Sequence, residues 1–347
     1  MSKALALKYR PKRFEDLTEQ SEVVTILTNQ IETNTIKHGY LFCGGAGTGK
    51  TTSARIFANM INEGKGTPIE LDAASNNSVE DIRRLCDDAQ TQSIDSLYKV
   101  FVIDECHSLS NQAWQAFLKT LEEPPAKSIF ILCTTNPERI PQTILSRVQR
   151  YNFQRISFEG IVNRLENIIL WENEEISDKS IDIHYQIESI EYIAKIADGG
   201  LRDAITLMDK CLSYSNNLTM DNVIKALGIA NYEVMFNLTS YIISNNISYI
   251  CNLINEVHSS GMDLKLFIKQ YFEFILDLNV YSATNDMNTT KIPLVWEEYI
   301  HNNWKEKEWD TIYKLLSFIT DLNYAIKWEQ NPKAVIIAKF ILFDKEV

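Results

Sequence analysis

A glycine-rich block near the start of the chain carries the clearest chemical signal, and it reads Gly44-Gly45-Ala46-Gly47-Thr48-Gly49-Lys50-Thr51, with Thr52 next. It satisfies the phosphate-loop pattern G-x-x-x-x-G-K-[ST]. Glycines let backbone N–H groups curl around phosphate oxygens, and the following helix N-terminus adds positive potential. We expect Lys50 to reach the terminal phosphates of a nucleotide and Thr51 to offer its hydroxyl to Mg²⁺.

Two adjacent carboxylates, Asp104 and Glu105, follow the apolar run Val100 to Ile103. We expect this run to be a strand adjacent to the phosphate loop, with Asp104 holding Mg²⁺ through water. Glu105 would orient and polarise the water that attacks the terminal phosphate. Read alone, such a pair is more often an ordinary strand end, but with the phosphate loop it indicates nucleotide hydrolysis. A kinase is disfavoured because a second substrate-binding signature is missing.

The elements that must position these groups follow from hydrophobic periodicity. Helical spacing over 23–36 precedes the apolar run 40–43, and a second helical face covers 53–61. Further apolar runs at 69–71, 100–103 and 129–133 alternate with helical patterns at 79–89 and 112–121. This alternation predicts a mainly parallel sheet covered by helices on both faces, with ligands bound at the carboxyl ends of its strands.

Beyond about Ser157 no strand pattern is evident. Helical patterns at 161–170, 187–197, 203–212 and 220–227 predict a small helical domain. From 232 onward the pattern is helical again, interrupted by a polar segment, 283–291, that we expect to be an exposed loop. The predicted fold class is therefore α/β plus all-α, in three domains with bounds 1–157, 158–229 and 230–347.

Composition excludes several classes of protein. The formal net charge of −12 argues against a protein that coats nucleic acid through its overall field. One local basic cluster opens the chain, and a solvated charge run explains it equally well. The six cysteines form no C-x-x-C pair, so neither a zinc site nor a disulfide framework is indicated. No apolar stretch reaches eighteen residues and no secretory signal is evident, so we expect a cytoplasmic protein without a membrane span.

Several sequence blocks, in this order, resemble the gamma/tau subunits of bacterial-type clamp loaders, which are AAA+ ATPases of DNA polymerase III. The blocks are LALKYRP from Leu5, GGAGTGKT, LDAASNN from Leu71, DECHSLS from Asp104, FLKTLEEPP from Phe117, TTNP from Thr134, ILSR from Ile144 and GLRDA from Gly200. The resemblance implies that the three predicted domains are an AAA+ P-loop domain, a helical lid and a helical collar.

The resemblance also assigns residues. It places Leu7, Tyr9, Arg10 and Pro11 in the adenine pocket, and it makes Thr135 the sensor of the terminal phosphate. Arg147 matches the arginine finger that enters the neighbouring subunit's site. Arg202 matches the second sensor, which reaches from the lid to the nucleotide. Without the surrounding motifs, Arg147 would be read as a surface salt-bridge residue and Arg202 as half of an ion pair with Asp203.

Two departures from the family pattern are evident. A short segment, 62–68, stands where the family normally inserts a cysteine-rich zinc module, so zinc is not expected. Val148 follows Arg147 where the family usually has cysteine, which leaves the arginine itself in place. Since the sequence ends after the predicted collar, we expect a form that loads clamps without the segments that tether the replisome.

The function implied by the resemblance is that of a motor subunit with ATP and Mg²⁺ as ligands. ATP binding would open the sliding clamp, and hydrolysis would release it on primed DNA. The implied partners are sibling subunits of the delta and delta-prime types, further copies of the chain, the clamp and primer-template DNA, and no polymerase active site is evident. The alternatives are another AAA+ DNA-remodelling motor, which the LKTLEEPP and DAAS blocks disfavour, and a non-hydrolysing scaffold, which the intact phosphate loop and carboxylates disfavour.

Overall fold

Alternating apolar side chains build a parallel sheet in the first half of the chain. Its strands are β1 (Gly39–Gly44), β2 (Ile69–Asp72), β3 (Lys99–Asp104), β4 (Ser128–Thr134) and β5 (Gln149–Phe153). The strand order is β2-β3-β4-β1-β5, and every neighbouring pair is parallel. The carboxyl ends of all five strands therefore lie at one edge of the sheet, where the predicted ligand site belongs.

The computed structural model describes residues 3–175, 182–228, 232–293, 296–304 and 306–343. Its contacts divide the chain into two units, of which the first comprises 1–179 with 193–209 and the second comprises 180–192 with 210–347. The three-domain division with bounds at 157 and 229 stays a prediction. Within the described ranges, no helix has both the length and the apolar character needed to cross a bilayer.

Helices cover both faces of the sheet in the first unit, which explains why the central strands β1, β3 and β4 are buried along most of their length. Tyr40 and Phe42 of β1 face a core shared with the first pair of long helices, whereas Leu41 faces the opposite core. The helices up to residue 214 are α1 (Leu5–Lys8), α2 (Ser21–Glu32), α3 (Lys50–Ile61), α4 (Val79–Ala89), α5 (Asn111–Glu122), α6 (Gln142–Leu145), α7 (Phe158–Glu175), α8 (Ile187–Ile196) and α9 (Leu201–Tyr214). Residues 187–192 of α8 and 210–214 of α9 belong to the second unit. Helices α2 and α3 cover one face, and α4 to α6 cover the other.

Serine hydroxyls fix the start of the two helices on the second face. Ser78 accepts a hydrogen bond from the N–H of Asp81 at the start of α4, at 3.2 Å. Ser110 accepts one from the N–H of Ala113 at the start of α5, also at 3.2 Å. Such caps satisfy backbone donors that have no partner inside the helix. The predicted helix 79–89 is therefore found with the same bounds.

The second unit is mainly helical. It contains the short strands β6 (His184–Tyr185) and β7 (Asn217–Leu218), which pair in parallel. Its further helices are α10 (Met220–Leu227), α11 (Tyr232–Ile243), α12 (Ile247–Ser259), α13 (Leu264–Thr284), α14 (Glu297–Asn303), α15 (Glu306–Ile326) and α16 (Pro332–Phe343). Phe236 of α11 lies at the centre of an aromatic cluster with Phe274, Trp296, Tyr299 and Trp304.

The predicted fold class is confirmed, and three of its details differ from expectation. Strand β5 was not predicted, because it is an edge strand with only two buried side chains. The two-residue pair β6 and β7 lies past residue 157, where no strand was expected. Strand β4 separates β3 from β1, but the end of β3 still reaches the phosphate loop as expected, since Asp104 accepts from the Thr51 hydroxyl. Segment 283–291 is not wholly exposed, since Met287 and Thr290 are buried.

Candidate functional site

The phosphate loop connects β1 to α3 at the carboxyl edge of the sheet. Gly47 and Gly49 have φ angles of 69° and 100°, which are left-handed conformations that side chains other than glycine adopt at a cost. The Thr48 hydroxyl donates to the carbonyl of Gly45 at 2.9 Å and closes the turn. The glycines therefore give the loop the curvature that directs backbone N–H groups towards a bound anion.

Lys50 lies inside this curve. Its Nζ donates to the carbonyl oxygens of Gly44 at 2.9 Å and Gly45 at 2.6 Å. Only 6% of the residue is exposed, and burial lowers the pKa of its ammonium group because desolvation disfavours the charged form. A phosphate anion placed in the loop would compensate for this desolvation. Lys50 is thus poised to exchange weak carbonyl partners for an anionic one.

Thr51, in the first turn of α3, meets Asp104, the last residue of β3. The Thr51 hydroxyl donates to Asp104 Oδ2 at 2.8 Å, and the Glu105 N–H donates to Asp104 Oδ1 at 3.0 Å. A hydroxyl beside a carboxylate is the hard-oxygen donor set that Mg²⁺ accepts together with phosphates and water. The residues present therefore fit a magnesium ion bound with a nucleotide.

Glu105 is held in a strained conformation beside this pair. Its φ of 46° places a non-glycine residue in the left-handed region. The Thr135 hydroxyl donates to its Oε2 at 3.0 Å, and His107 Nδ1 lies 3.2 Å from the same oxygen. Thr135, expected to sense the terminal phosphate, thus lies beside the carboxylate and is not among the residues that line the cleft.

The cleft above the loop is lined from two sides. Of the predicted residues, Leu7, Tyr9, Arg10 and Pro11 line one side and Arg202 lines the other. Ala46 to Thr52 and the two carboxylates form the base, together with residues of the first unit not predicted for the site: Ala6, Leu17, Thr18, Ile156, Arg164, Leu201, Asp203 and Ile205. Gly44 and Gly45 do not line it and serve instead as acceptors for Lys50.

Arg10 links the N-terminal segment to α3, the helix that follows the phosphate loop. Its Nε donates to the Thr52 hydroxyl at 3.1 Å. Burial lowers the pKa of the Arg10 guanidinium, and the nearby positive charge of Arg55 adds to that effect. A desolvated cation at this place favours an anionic ligand. Arg10 and Thr52 therefore contribute to the site as a hydrogen-bonded pair.

The start of α9 packs directly on the phosphate loop. A Cβ atom at Gly47 would lie 3.0 Å from the Cα of Gly200 and 3.3 Å from the backbone nitrogen of Arg202. A Cβ atom at Gly200 would lie 3.2 Å from the carbonyl oxygen of Ala46. Gly47 and Gly200 thus allow the backbone of α9 to approach the backbone of the phosphate loop. This close packing holds Arg202 at the mouth of the cleft.

The N-terminal segment is fastened to α7 and α9. The Leu5 N–H donates to Asp209, Lys8 pairs with Glu172 and Glu175, and the Tyr9 ring stacks on Trp171. Hydrogen bonding to Glu172 raises the pKa of Lys8, and burial raises the pKa of Tyr9 to about 12. We call these contacts the N-terminal clasp.

Arg164 of α7 completes the clasp and lines the cleft. It donates to the carbonyl of Tyr9 at 3.2 Å, and its guanidinium lies 5.0 Å from the centre of the Trp171 ring. Sequence reasoning missed this residue, because an isolated arginine on an amphipathic helix carries no local motif. Its position is set entirely by how α7 packs against the N-terminal segment.

Arg147 lies outside the cleft of its own chain. Its guanidinium pairs with Glu122 at 2.6 Å and donates to the carbonyl of Thr143 at 2.6 Å and to the Ser146 hydroxyl at 3.0 Å. The structure therefore brings the other predicted catalytic residues to the carboxyl edge of the sheet but leaves Arg147 at the surface, in the ion pair expected of a surface arginine.

In the part of the chain that the structure describes, no group of three or more His, Cys, Asp or Glu residues could hold a metal ion alone. This does not conflict with a magnesium site, since Mg²⁺ in nucleotide sites uses one or two carboxylates plus phosphate oxygens. All six cysteines are free. Cys43, Cys106 and Cys133 are buried, and burial raises the pKa of each thiol.

Similar proteins span most of the chain. The tau subunit of DNA polymerase III from Bacillus subtilis is 32% identical over 352 residues, covering 95% of this chain and 61% of that protein. The gamma subunit from Buchnera aphidicola subsp. Acyrthosiphon pisum is 32% identical, covering 87% of this chain and 85% of that protein. The tau subunit from Salmonella typhimurium is 35% identical over 75% of this chain. This chain spans 61% and 42% of the two tau subunits.

Two further comparisons concern parts of the chain. A family model described as "DNA polymerase III, delta subunit" matches residues 68–157. The Holliday junction branch migration motor RuvB from Thermotoga maritima aligns with a TM-score of 0.50 and 17% identity, over 74% of this chain and 86% of that one. At that identity the likeness shows the fold alone, which is an AAA+ fold.

Proposed function

We propose that this chain, which belongs to the DNA polymerase III gamma/tau subunit family, binds ATP with Mg²⁺ and hydrolyses it as a motor subunit of a sliding-clamp loader. One observation supports this proposal most strongly. The Thr51 hydroxyl contacts Asp104 at 2.8 Å, so the loop threonine and the strand-end carboxylate form a single site next to Glu105. Binding and hydrolysis would need that convergence.

The binding step rests on the loop and the two walls of the cleft. Lys50 and the loop N–H groups would bind the β- and γ-phosphates, and Arg202 would neutralise further charge from the lid side. Leu7 to Pro11 would enclose the adenine. Thr51 and Asp104 would hold Mg²⁺, which supplies charge neutralisation at the phosphates when bound.

The hydrolytic step rests on Glu105. As a general base, its carboxylate would orient the attacking water and take up its proton as the water oxygen bonds to the γ-phosphorus. The bond from that phosphorus to the β–γ bridging oxygen would break at the same time, releasing ADP and phosphate. The donor from Thr135 holds one carboxylate oxygen at 3.0 Å and leaves the other to face a water molecule. Such a base contributes about 10²- to 10⁴-fold in rate.

A neighbouring subunit would supply Arg147. Since the residue lies outside its own cleft, it can act only on another chain's nucleotide unless the subunit rearranges. Arginine fingers neutralise charge on the transferred phosphoryl group and accelerate transfer by about 10³- to 10⁵-fold. We therefore propose a slow isolated ATPase that becomes fast on assembly.

The partners follow from this role. We propose assembly with delta- and delta-prime-type siblings and with further copies of the chain, acting on a sliding clamp and primer-template DNA. ATP binding would open the clamp, and hydrolysis would release it on the DNA. The helical second unit would supply the collar that joins subunits.

A non-hydrolysing scaffold subunit is the second candidate, favoured by the delta-subunit family match at residues 68–157. That match begins after the phosphate loop, so it does not include Lys50 and Thr51. A scaffold has no need for a buried lysine in an intact loop next to two carboxylates. Hydrolysis therefore fits the residues better.

Two variants test the proposal. Titration with fluorescent N-methylanthraniloyl ATP in the presence of Mg²⁺ should show at least about tenfold weaker binding by Lys50→Ala, since an ammonium–phosphate bond contributes about 1.5–3 kcal/mol. Glu105→Gln should bind like wild type but turn over about 10²-fold or more slowly. Lys65→Ala, which alters an exposed lysine outside the cleft, is the control. Wild-type binding by Lys50→Ala, or wild-type turnover by Glu105→Gln, would refute the proposal.

A further inference from the structure

We propose that His107 is a positioning residue for Glu105 and holds the carboxylate in its reactive orientation through the close contact of its Nδ1 with Oε2. The inference rests on the proposed function, because it assigns a role to His107 only if Glu105 acts on water.

The contacts around the imidazole identify its donor atom. His107 Nδ1 lies 3.2 Å from Glu105 Oε2 and 3.1 Å from the Thr134 hydroxyl. An ionised carboxylate only accepts hydrogen bonds, so a lone pair on Nδ1 would repel it at this distance. The Thr134 oxygen already accepts from the N–H of Asn136 at 3.0 Å. The nearby carboxylate therefore favours a hydrogen on Nδ1, which would donate to the Thr134 hydroxyl and lie beside Glu105 Oε2.

A hydroxyl donor and an imidazole ring thus approach the same oxygen from two elements. Thr135 reaches Oε2 from the end of β4, and His107 reaches it from the turn that follows β3. With Oε2 occupied from both sides, rotation of the carboxylate is restricted, and Oε1 is the oxygen left for water. A base fixed in this manner loses less orientational freedom in the transition state.

The backbone explains why this arrangement is maintained. Glu105 has a φ of 46°, and the short 3-10 turn Cys106–Ser108 follows at once. Cys106 is fully buried in the core and anchors the turn. A residue strained in this way costs about 1–3 kcal/mol and persists only where its surroundings over-determine it. The buried turn supplies that constraint and places the His107 ring, 14% exposed, against the carboxylate.

The expected signature is a lower kcat with unchanged nucleotide affinity. His107 is not among the residues that line the cleft, so its removal leaves the binding contacts in place. Loss of a residue that orients a reacting group typically costs about 10- to 100-fold in activity. A role in folding alone would instead lower stability and affinity together.

Matched substitutions separate the two ring nitrogens. In His107→Asn the side-chain amide can occupy the place of Nδ1, whereas in His107→Gln it occupies the place of Nε2. We expect His107→Gln to lower single-turnover hydrolysis about 10- to 100-fold and His107→Asn to recover most of it. N-methylanthraniloyl ATP should bind both variants as it binds wild type. His38→Gln is the control, since the Nδ1 of that residue contacts the carbonyl of Ser128 at the opposite end of β4, at 3.2 Å.

A double-variant cycle tests whether His107 acts through Glu105. If it does, adding His107→Gln to Glu105→Gln lowers the residual rate no further, because the group being positioned is already gone. Additive losses, or equal losses in the Asn and Gln variants, would overturn the inference. Wild-type turnover by His107→Gln would also overturn it while a slow Glu105→Gln left the proposed function intact. Wild-type turnover by Glu105→Gln would remove the proposed function itself.

Discussion

The surface position of Arg147 allows a quantitative test of action between subunits. In the single chain its guanidinium pairs with Glu122 at the end of α5, with 32% and 51% of the two side chains exposed. An exposed pair of this kind contributes about 0–1 kcal/mol, whereas an arginine finger accelerates transfer by about 10³- to 10⁵-fold, which corresponds to about 4–7 kcal/mol. The ion pair is therefore too weak to hold the finger back.

Substitutions of Arg147 and of Glu122 should consequently differ by orders of magnitude in their effect on the ATPase rate. With partner subunits, clamp and primed DNA present, Arg147→Ala should lower the stimulated ATPase rate by about 10³-fold or more. Glu122→Gln should change it by less than about fivefold, the equivalent of 1 kcal/mol. N-methylanthraniloyl ATP should bind Arg147→Ala as tightly as wild type, because the residue lies outside its own cleft.

Mixed assembly gives the decisive measurement. When Arg147→Ala and Lys50→Ala chains are combined in equal amounts, random assembly gives about a quarter of the like-subunit interfaces an intact loop facing an intact arginine. Hydrolysis should return in the mixture although each variant alone is inactive. Arg139→Ala, at an exposed arginine on the preceding turn, is the control for general surface effects and should retain the wild-type stimulated rate. A mixture as inactive as its components would show that Arg147 does not act across an interface.

Three further expectations concern the site and its surroundings. Because the Thr51 hydroxyl donates to Asp104, Thr51→Val should lower the free energy of unfolding by about 1–3 kcal/mol and remove the Mg²⁺-dependent gain in ATP affinity. Thr51→Ser should retain both the stability and the Mg²⁺ effect. Denaturant and titration experiments in which the valine variant matches wild type would contradict this prediction. Gly47→Ala should destabilise more than Gly64→Ala, because both have left-handed φ angles (69° and 78°) but only Gly47 contacts Gly200; equal melting temperatures would count against that contact. Iodoacetamide should modify the half-buried Cys86 and Cys251 of the native protein first. It should reach the buried cysteines only after unfolding, namely Cys43, Cys106, Cys133 and Cys211. Early modification of Cys106, detected by mass spectrometry, would show that the core is more accessible than the structure indicates.

The sequence predicted the residues that stand in motifs or in strong periodic patterns. The phosphate loop can be recognised from sequence because its chemistry depends on glycines and a lysine at fixed spacing. The helix at 79–89 can be recognised because it has a clear apolar face. Asp104 and Glu105 follow an apolar run that is buried along its length. In each case the information lies within a few neighbouring residues.

What the sequence did not predict depends on contacts between distant segments. Strand β5 reads Gln-Arg-Tyr-Asn-Phe, and an edge strand with two buried side chains is too short for a period-two pattern to stand out. The position of β4 between β1 and β3 could not be predicted, because the hydrophobic pattern identifies strands but does not give their order in the sheet. The pairing of His107 with Glu105 depends on a single left-handed residue, and Arg164 enters the site only through packing.

If the cleft binds a nucleotide as proposed, the N-terminal clasp would make nucleotide exchange depend on ionic strength as well as on affinity. The segment from Leu7 to Pro11, which lines one side of the cleft, is tied to α7 partly by the charge pairs of Lys8 with Glu172 and Glu175. Salt screens the more exposed pair with Glu175 more strongly than the partly buried pair with Glu172, and it leaves the stacking of Tyr9 on Trp171 largely unaffected. Opening of this wall would therefore become easier as salt rises, even where contacts to the phosphates are unchanged. The lifetime of the bound nucleotide would thus be set in part by charges that never touch it.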